Sequence, residues 1–247
     1  MIKGIFSSGS GMQPRMLRLE VIGNNLANIN TTGFKRDNIF IQVLKNASTV
    51  NDMQSNDLEG LDIVQFTDHG EGSLYQSNNP LDLAIQGEGF FVVETPRGQR
   101  FTRNGNFTLG LDGTILTSEG YPVLGSNGRI QLPDINKLSQ GDIAISPAGE
   151  ITVDRNILGK IRIVAFDDMR KLKKDGNSLF VTEEKGRELD STKDSTIIRQ
   201  GFLEESNVDG IEEMIAMVEL SRSFESDQKA IQYQDSTLER AVEMGRL

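Results

Sequence analysis

Apolar positions at the two ends of the chain recur in steps of three and four, while those in the middle fall in short runs closed by glycine. Near the N-terminus, Met12, Met16, Leu19, Ile22, Leu26 and Ile29 follow the helical period and predict one apolar helix face. Pro14 is tolerable there only in a first turn, and Gly33 is placed to act as the C-terminal cap. After Asp209 the chain contains no proline. Asp209 and Glu212 have the spacing of a capping box, with Asp in place of the motif's Ser or Thr. Met217, Phe224, Ile231 and Leu238 then recur at sevenfold spacing, Met214, Val218, Leu220 and Val242 widen the stripe, and Glu225 with Lys229 makes a favourably oriented pair. Ile5, Met12, Leu19 and Leu26 form a second sevenfold series. Such repeats suit a coiled coil, although polar Asp227, Gln228, Gln234 and Asp235 interrupt the C-terminal seam. Two surface helices packed on a central domain fit the same pattern.

Between the ends the period changes to two. LDLAIQGEGFFVVE (81–94) carries a strand pattern and TPRG (95–98) a turn. FTRNGNFTL (101–109), DGTILTSEG (112–120), GYPVLG (120–125) and SNGRIQL (126–132) continue a rhythm of short strands and turn residues. ISPAGEITV (145–153) reads as a hairpin about Pro147–Gly149, and KIRIVAF (160–166) as a more buried strand. Leu83, Ile85, Phe91, Val93 and Ile163 are the candidate core. Strands at this spacing predict a sandwich or open barrel. The expected fold class is therefore α+β: N- and C-terminal helices forming a coiled-coil-like assembly segment, flanking a central all-β domain of short strands. The expected divisions are an N-terminal helical segment over 1–45, a connector over 46–73, the β domain over 74–201 and a C-terminal helical segment over 202–247.

Composition narrows the function classes. The 247 residues are 36% hydrophobic and 25% charged, which supports a modest core. A net charge of −10 repels phosphate backbones and anionic lipid, so neither nucleic acid nor a membrane surface is an expected partner. No stretch approaches the roughly 20 apolar residues of a membrane span, so direct membrane insertion is not expected. The opening MIKGIFSSGSGMQPRM has no apolar run of signal-peptide length, so a site outside the cytosol would require another export route. Without cysteine there is no disulfide and no thiolate chemistry. His69 is the single histidine, so a multi-histidine metal site is impossible and any Ser-His-Asp triad would have to use a residue in DHGEG, which reads as a turn. Gly87 and Gly89 lead into a strand and not a helix, which removes the geometry of a phosphate cradle. The carboxylate pairs Asp167–Asp168, Glu183–Glu184 and Glu204–Glu205 are chain neighbours, which point opposite ways on a strand instead of facing each other across a cleft. No catalytic, cofactor-binding or metal-binding residue is assigned, no small-molecule substrate is expected, and the chain is expected not to be an enzyme.

At NNLANINTTGF (24–34) the chain resembles the N-terminal signature of the bacterial flagellar basal-body rod and hook protein family, through Asn24, Asn25, Leu26, Asn28, Gly33 and Phe34. NPLDLAIQGEGFFVVETPRGQRFTRNGNFTLGLDGTILTSEGYPVLG (79–125) is similar to that family's central β domain, and QGFLEESNVDGIEEMIAMVELSRSFESDQKAIQ (200–232) to its C-terminal region. The blocks stand in the family's order and span most of the chain. A single β domain fits a rod subunit, and the wording of VETPRGQRFTRNGNFTL (93–109) with GYPVLG (120–125), and of the short segment 145–166, is most like the proximal rod subunit adjacent to the distal rod. The distal rod subunit is the alternative. Beyond the family, a periplasmic wall-active enzyme and a flagellar export chaperone are the competing classes, and concentration-dependent filament formation separates a rod subunit from both. The resemblance implies export through the flagellar type III apparatus without a cleaved signal peptide. It further implies assembly in the periplasm, with itself and other rod subunits, into the hollow axial drive shaft that transmits torque from motor to hook. The terminal helices would pair into the inner tube, with Met12, Met16, Leu19, Ile22, Leu26, Ile29, Met217, Leu220, Phe224, Ile231 and Leu238 as the assembly interface.

Overall fold

The computed structural model describes residues 2–43, 61–132, 143–153, 156–184, 186–189 and 196–244. In chain order the elements are α1 (Ile2–Ala27), β1 (Asp37–Val43), β2 (Leu61–Thr67), β3 (Leu74–Gln76), β4 (Leu83–Gln86), β5 (Phe90–Thr95), β6 (Gly98–Thr102), β7 (Phe107–Leu109), β8 (Ile115–Thr117), β9 (Leu124–Gly125) and β10 (Gly128–Arg129). There follow β11 (Ile143–Ile145), β12 (Glu150–Val153), β13 (Asn156–Lys160), β14 (Ile163–Ala165), β15 (Lys173–Lys174), β16 (Leu179–Val181), β17 (Arg187–Glu188), β18 (Ile197–Gln200), β19 (Phe202–Glu204) and α2 (Gly210–Met244). A central β-rich region thus lies in sequence between one N-terminal and one C-terminal helix. The chain divides into two compact units. One comprises Met1–Ala27, Asp37–Asp68 and Asp209–Leu247; the other comprises Asn28–Arg36 and His69–Val208.

In the first unit α1 packs against both α2 and β1. Strands β1 and β2 form an antiparallel hairpin with Asn38 opposite Phe66 and Phe40 opposite Val64. The period of two places those four residues on one face and Asp37, Ile39, Gln65 and Thr67 on the other. Helix α2 starts where Asp209 stops the extended chain: its carboxylate accepts the N–H of Ile211 at 2.9 Å and of Glu212 at 3.2 Å, satisfying donors that a helix start leaves open. No proline then interrupts its 35 residues. Helix α1 differs from expectation at both ends. It begins at Ile2, so Pro14 lies in its interior and removes one N–H from the helical ladder. It ends at Ala27, so Gly33 is not its cap and Ile29 is not on its apolar face.

The second unit is built on a six-stranded sheet in the order β15-β16-β6-β5-β14-β17. Its central strand β5 reads FFVV because both faces are covered. Phe91 and Val93 pack into one core cluster with Leu83, Ile85 and Ile163, while Phe90 and Val92 pack into a second with Phe101, Val164 and Phe180. All five expected core residues therefore share one cluster. The turn at Thr95–Gly98 joins β5 to β6, and the Pro147–Gly149 turn joins β11 to β12, as the sequence predicts. The last strands pair with the first: β18 lies antiparallel to β4, and β19 to β3. That pairing brings residues 197–204 beside 74–86 and closes the unit.

Candidate functional site

Four of the residues assigned to an assembly interface meet in one place. Met16 and Leu19 of α1 and Leu220 and Phe224 of α2 line an open cleft of about 500 Å³, together with Arg15, Leu17 and Glu20. An ion pair between Arg15 and Asp227 crosses the same helix pair. Both partners are partly exposed, so this pair contributes about 0–1 kcal/mol. Met16 remains 59% exposed although it lines the cleft, and Met214 and Val218 on α2 are 50% and 52% exposed. Ile22 is buried, whereas Leu26, Met217 and Ile231 are half-buried. Ile29 falls in the turn after α1, in the other unit. The side chains of Met12 and Leu238 lie outside the described residues.

The signature NNLANINTTGF divides between the two units. Asn25 is buried in the first. Its Nδ2 donates to the carbonyl of Asp37 at 2.9 Å and to Glu213 Oε1 at 3.2 Å, and its Oδ1 accepts the N–H of Asp37 at 3.0 Å. One side chain thus ties α1, β1 and the first turn of α2. Asn28, Gly33 and Phe34 belong to the second unit. Gly33 has φ +67°, and a Cβ there would overlap the backbone of Arg103 and Asn104, so only glycine fits. The ring of Phe34 lies under Lys174, whose Nζ is 4.0 Å from its centroid. Asn24 lies exposed at the edge of a pocket formed with Leu17, Glu20, Val21, Asp37, Ile39 and Gln65, and Leu26 is half-buried.

Sequence reasoning missed the residue that follows the signature. Lys35 is fully buried, with Nζ 2.5 Å from Glu204 Oε1 and 2.7 Å from the carbonyl of Gly70. Glu204, 1% exposed, also accepts the N–H of Gly72 at 3.0 Å and lies 3.4 Å from Arg103 Nη1. Arg103 in turn donates to the carbonyl of Gly87 at 2.8 Å. Burial lowers the pKa of Lys35 below its ordinary 10.5, against the pull of Glu204, and the neighbouring Arg103 lowers it further. Lys and Glu are ordinarily surface residues, and only the three-dimensional pairing marks these two.

The ring of His69 packs edge-on against Phe90 and Phe180, at centroid distances of 5.8 and 5.1 Å, which is an aromatic packing geometry. Among the described residues no group of three or more His, Asp or Glu side chains is placed to hold a metal, and no helix is long and apolar enough to cross a membrane.

Three family models match the chain in order: "Flagella basal body rod protein" over residues 6–35, "Flagellar hook protein FlgE/F/G D1 domain" over 84–153 and "Flagellar basal body rod FlgEFG protein C-terminal" over 199–244. The chain is 32% identical over 267 residues to the flagellar basal-body rod protein FlgG of Bacillus subtilis (strain 168), with 100% of both chains covered. It is 34% identical over 236 residues to the flagellar basal-body rod protein FlgF of Caulobacter vibrioides, with 90% of this chain and 87% of the relative covered. It is also 28% identical over 265 residues to FlgG of Buchnera aphidicola from Acyrthosiphon pisum, with 99% of this chain and 100% of the relative covered.

Proposed function

Because this chain belongs to the flagellar basal-body rod protein family, we propose that it is a structural subunit of the basal-body rod whose terminal helices form the surface buried on assembly. The observation that carries this reading is the cleft between α1 and α2, lined by Met16, Leu19, Leu220 and Phe224 and left open in the single chain. Each apolar side chain of this size gains about 1.5–3 kcal/mol when fully covered. Neighbouring subunits supply the cover through a coiled-coil-like packing of terminal helices, and a head-to-tail contact that does not close into a ring generates a helical filament. The subunit assembles with itself and other rod subunits into the axial shaft that transmits torque from motor to hook, after passage through the type III export apparatus. The chemistry is that of a packing surface and not of a catalyst. A place among the proximal rod subunits rests on the wording of 93–109 and 120–125 and on the short segment 145–166. Density for the subunit beneath the distal rod in a basal-body map is the expected result, and density inside the distal rod would reassign it.

Phe224→Asp tests the assembly surface. Phe224 belongs to the helical unit, so the β unit is expected to melt as in the wild type. The variant is expected to be exported yet absent from basal bodies, because a carboxylate would have to be desolvated in the packed shaft. Full incorporation would show that this face stays wet in the rod.

A further inference from the structure

Lys35, Arg103 and Glu204 bury two cations and one carboxylate where neither a substrate nor a cofactor is expected. Such clusters contribute little net stability, because desolvation offsets the Coulomb attraction, but they penalise every arrangement that leaves one member unpaired. The segments that supply the cluster are informative. Lys35 lies in the arm that follows α1. Glu204 ends β19, and residues 205–208 lead from it into α2. Backbone and side-chain bonds run alongside: the N–H of Gly33 donates to the carbonyl of Glu204 at 2.8 Å, and the N–H of Arg36 to Asn207 Oδ1 at 2.7 Å. Asn207 Nδ2 donates to the carbonyl of Gly70 at 3.1 Å, and Lys174 Nζ to that of Lys35 at 2.5 Å.

We propose that Lys35, with Glu204 and Arg103, is a positioning clasp that holds the segment leaving α1 against the segment entering α2, and makes the joining of the two chain ends conditional on a folded β unit. The condition follows from the partners. Glu204 takes its place when β19 pairs with β3, and Arg103 when β6 pairs with β5. Until both pairings exist, docking the arm would bury an ammonium group without a counter-ion, so the arm is rejected by an unfinished β unit.

Hydrogen exchange on the full-length chain carrying Lys35→Met tests this. The amides of Gly33 and Arg36 are expected to lose protection by about 10- to 100-fold, the scale of losing a hydrogen bond to a charged group. The amides of β5 are expected to keep wild-type protection, and the variant is expected to be missing from basal bodies. An equal loss in β5 would make the cluster ordinary core, and unchanged protection at Gly33 and Arg36 would show that the arm is held without it; either result overturns the clasp. Should Lys35→Met fail to fold, Asn207→Ala removes a half-buried acceptor and gives the same readout, with an expected loss of about tenfold at Arg36. The basal-body readout rests on the rod reading above and the exchange readout does not. Loss of arm protection with normal entry into basal bodies therefore overturns the conditional step and leaves the rod subunit standing.

Discussion

Lys35 Nζ lies between Glu204 Oε1 and the carbonyl of Gly70, with no exposed surface. Its pKa is lowered chiefly by desolvation, raised by Glu204, lowered by Arg103 and raised slightly by Glu71. The folded value therefore lies below the ordinary 10.5 of the unfolded chain. Between those two values the folded state holds fewer protons, so stability rises as pH climbs toward the unfolded value. The midpoint of denaturant unfolding is expected to increase over that alkaline interval and to lose part of that slope in Lys35→Met. An unchanged slope would assign it to other lysines. Glu204→Gln is expected to be harsher than Lys35→Met, since it leaves two buried cations, whereas the lysine variant leaves Arg103 and Glu204 one to one. None of this is legible in the sequence. Lys35 and Glu204 are 169 positions apart, and each residue type defaults to a solvated surface. Gly33 is half legible: its left-handed backbone follows from its being glycine, but the reason is a close approach to Arg103 and Asn104 and not a helix end.

Elements with a strong local signal match their sequence pattern. Helix α2 is announced by Asp209, by the missing prolines and by the apolar stripe, and β5 by the run FFVV. The cap can be tested directly. Asp209→Ala is expected to lower the stability of α2 by about 1 kcal/mol, and Asp209→Asn to restore most of it. Thermal melting of the helical circular-dichroism signal measures both, and an unchanged midpoint in the alanine variant would deny the carboxylate its role. Weaker signals fail in recognisable ways. Pro14 suggests a helix start, yet the helix runs from Ile2 because one lost backbone bond is tolerated within a 26-residue element. Strands β1 and β2 fall in the stretches expected to be a helical segment (1–45) and a connector (46–73), and they lie far enough apart in sequence that no local signal announces their pairing. Met16, Leu19, Leu220 and Phe224 line one cleft, although only Leu19 and Phe224 belong to a sevenfold series, and Ile29 falls outside the helix.

At the scale of the whole molecule, each unit is assembled from separated stretches of chain: Asp209–Leu247 joins Met1–Ala27 and Asp37–Asp68, and Asn28–Arg36 joins His69–Val208. Linear order hides this, because each stretch by itself reads as part of its neighbours. From the assembly surface proposed for the terminal helices, the chain is expected to self-associate above a threshold concentration, seen as a steep rise in light scattering with filaments in electron micrographs. Phe224→Asp is expected to raise that threshold, and a wild-type chain that stays monomeric at every concentration would count against polymerisation by this surface. The long separations also act as a clock. Glu204 follows Lys35 by 169 residues, and Glu213 follows Asn25 by 188. A ribosome adds roughly 5–20 residues per second, so the amino end waits roughly 10–40 s before either carboxylate is synthesised. Throughout that delay Lys35 and Asn25 are without these partners, so the beginning of the chain cannot yet close on its later part.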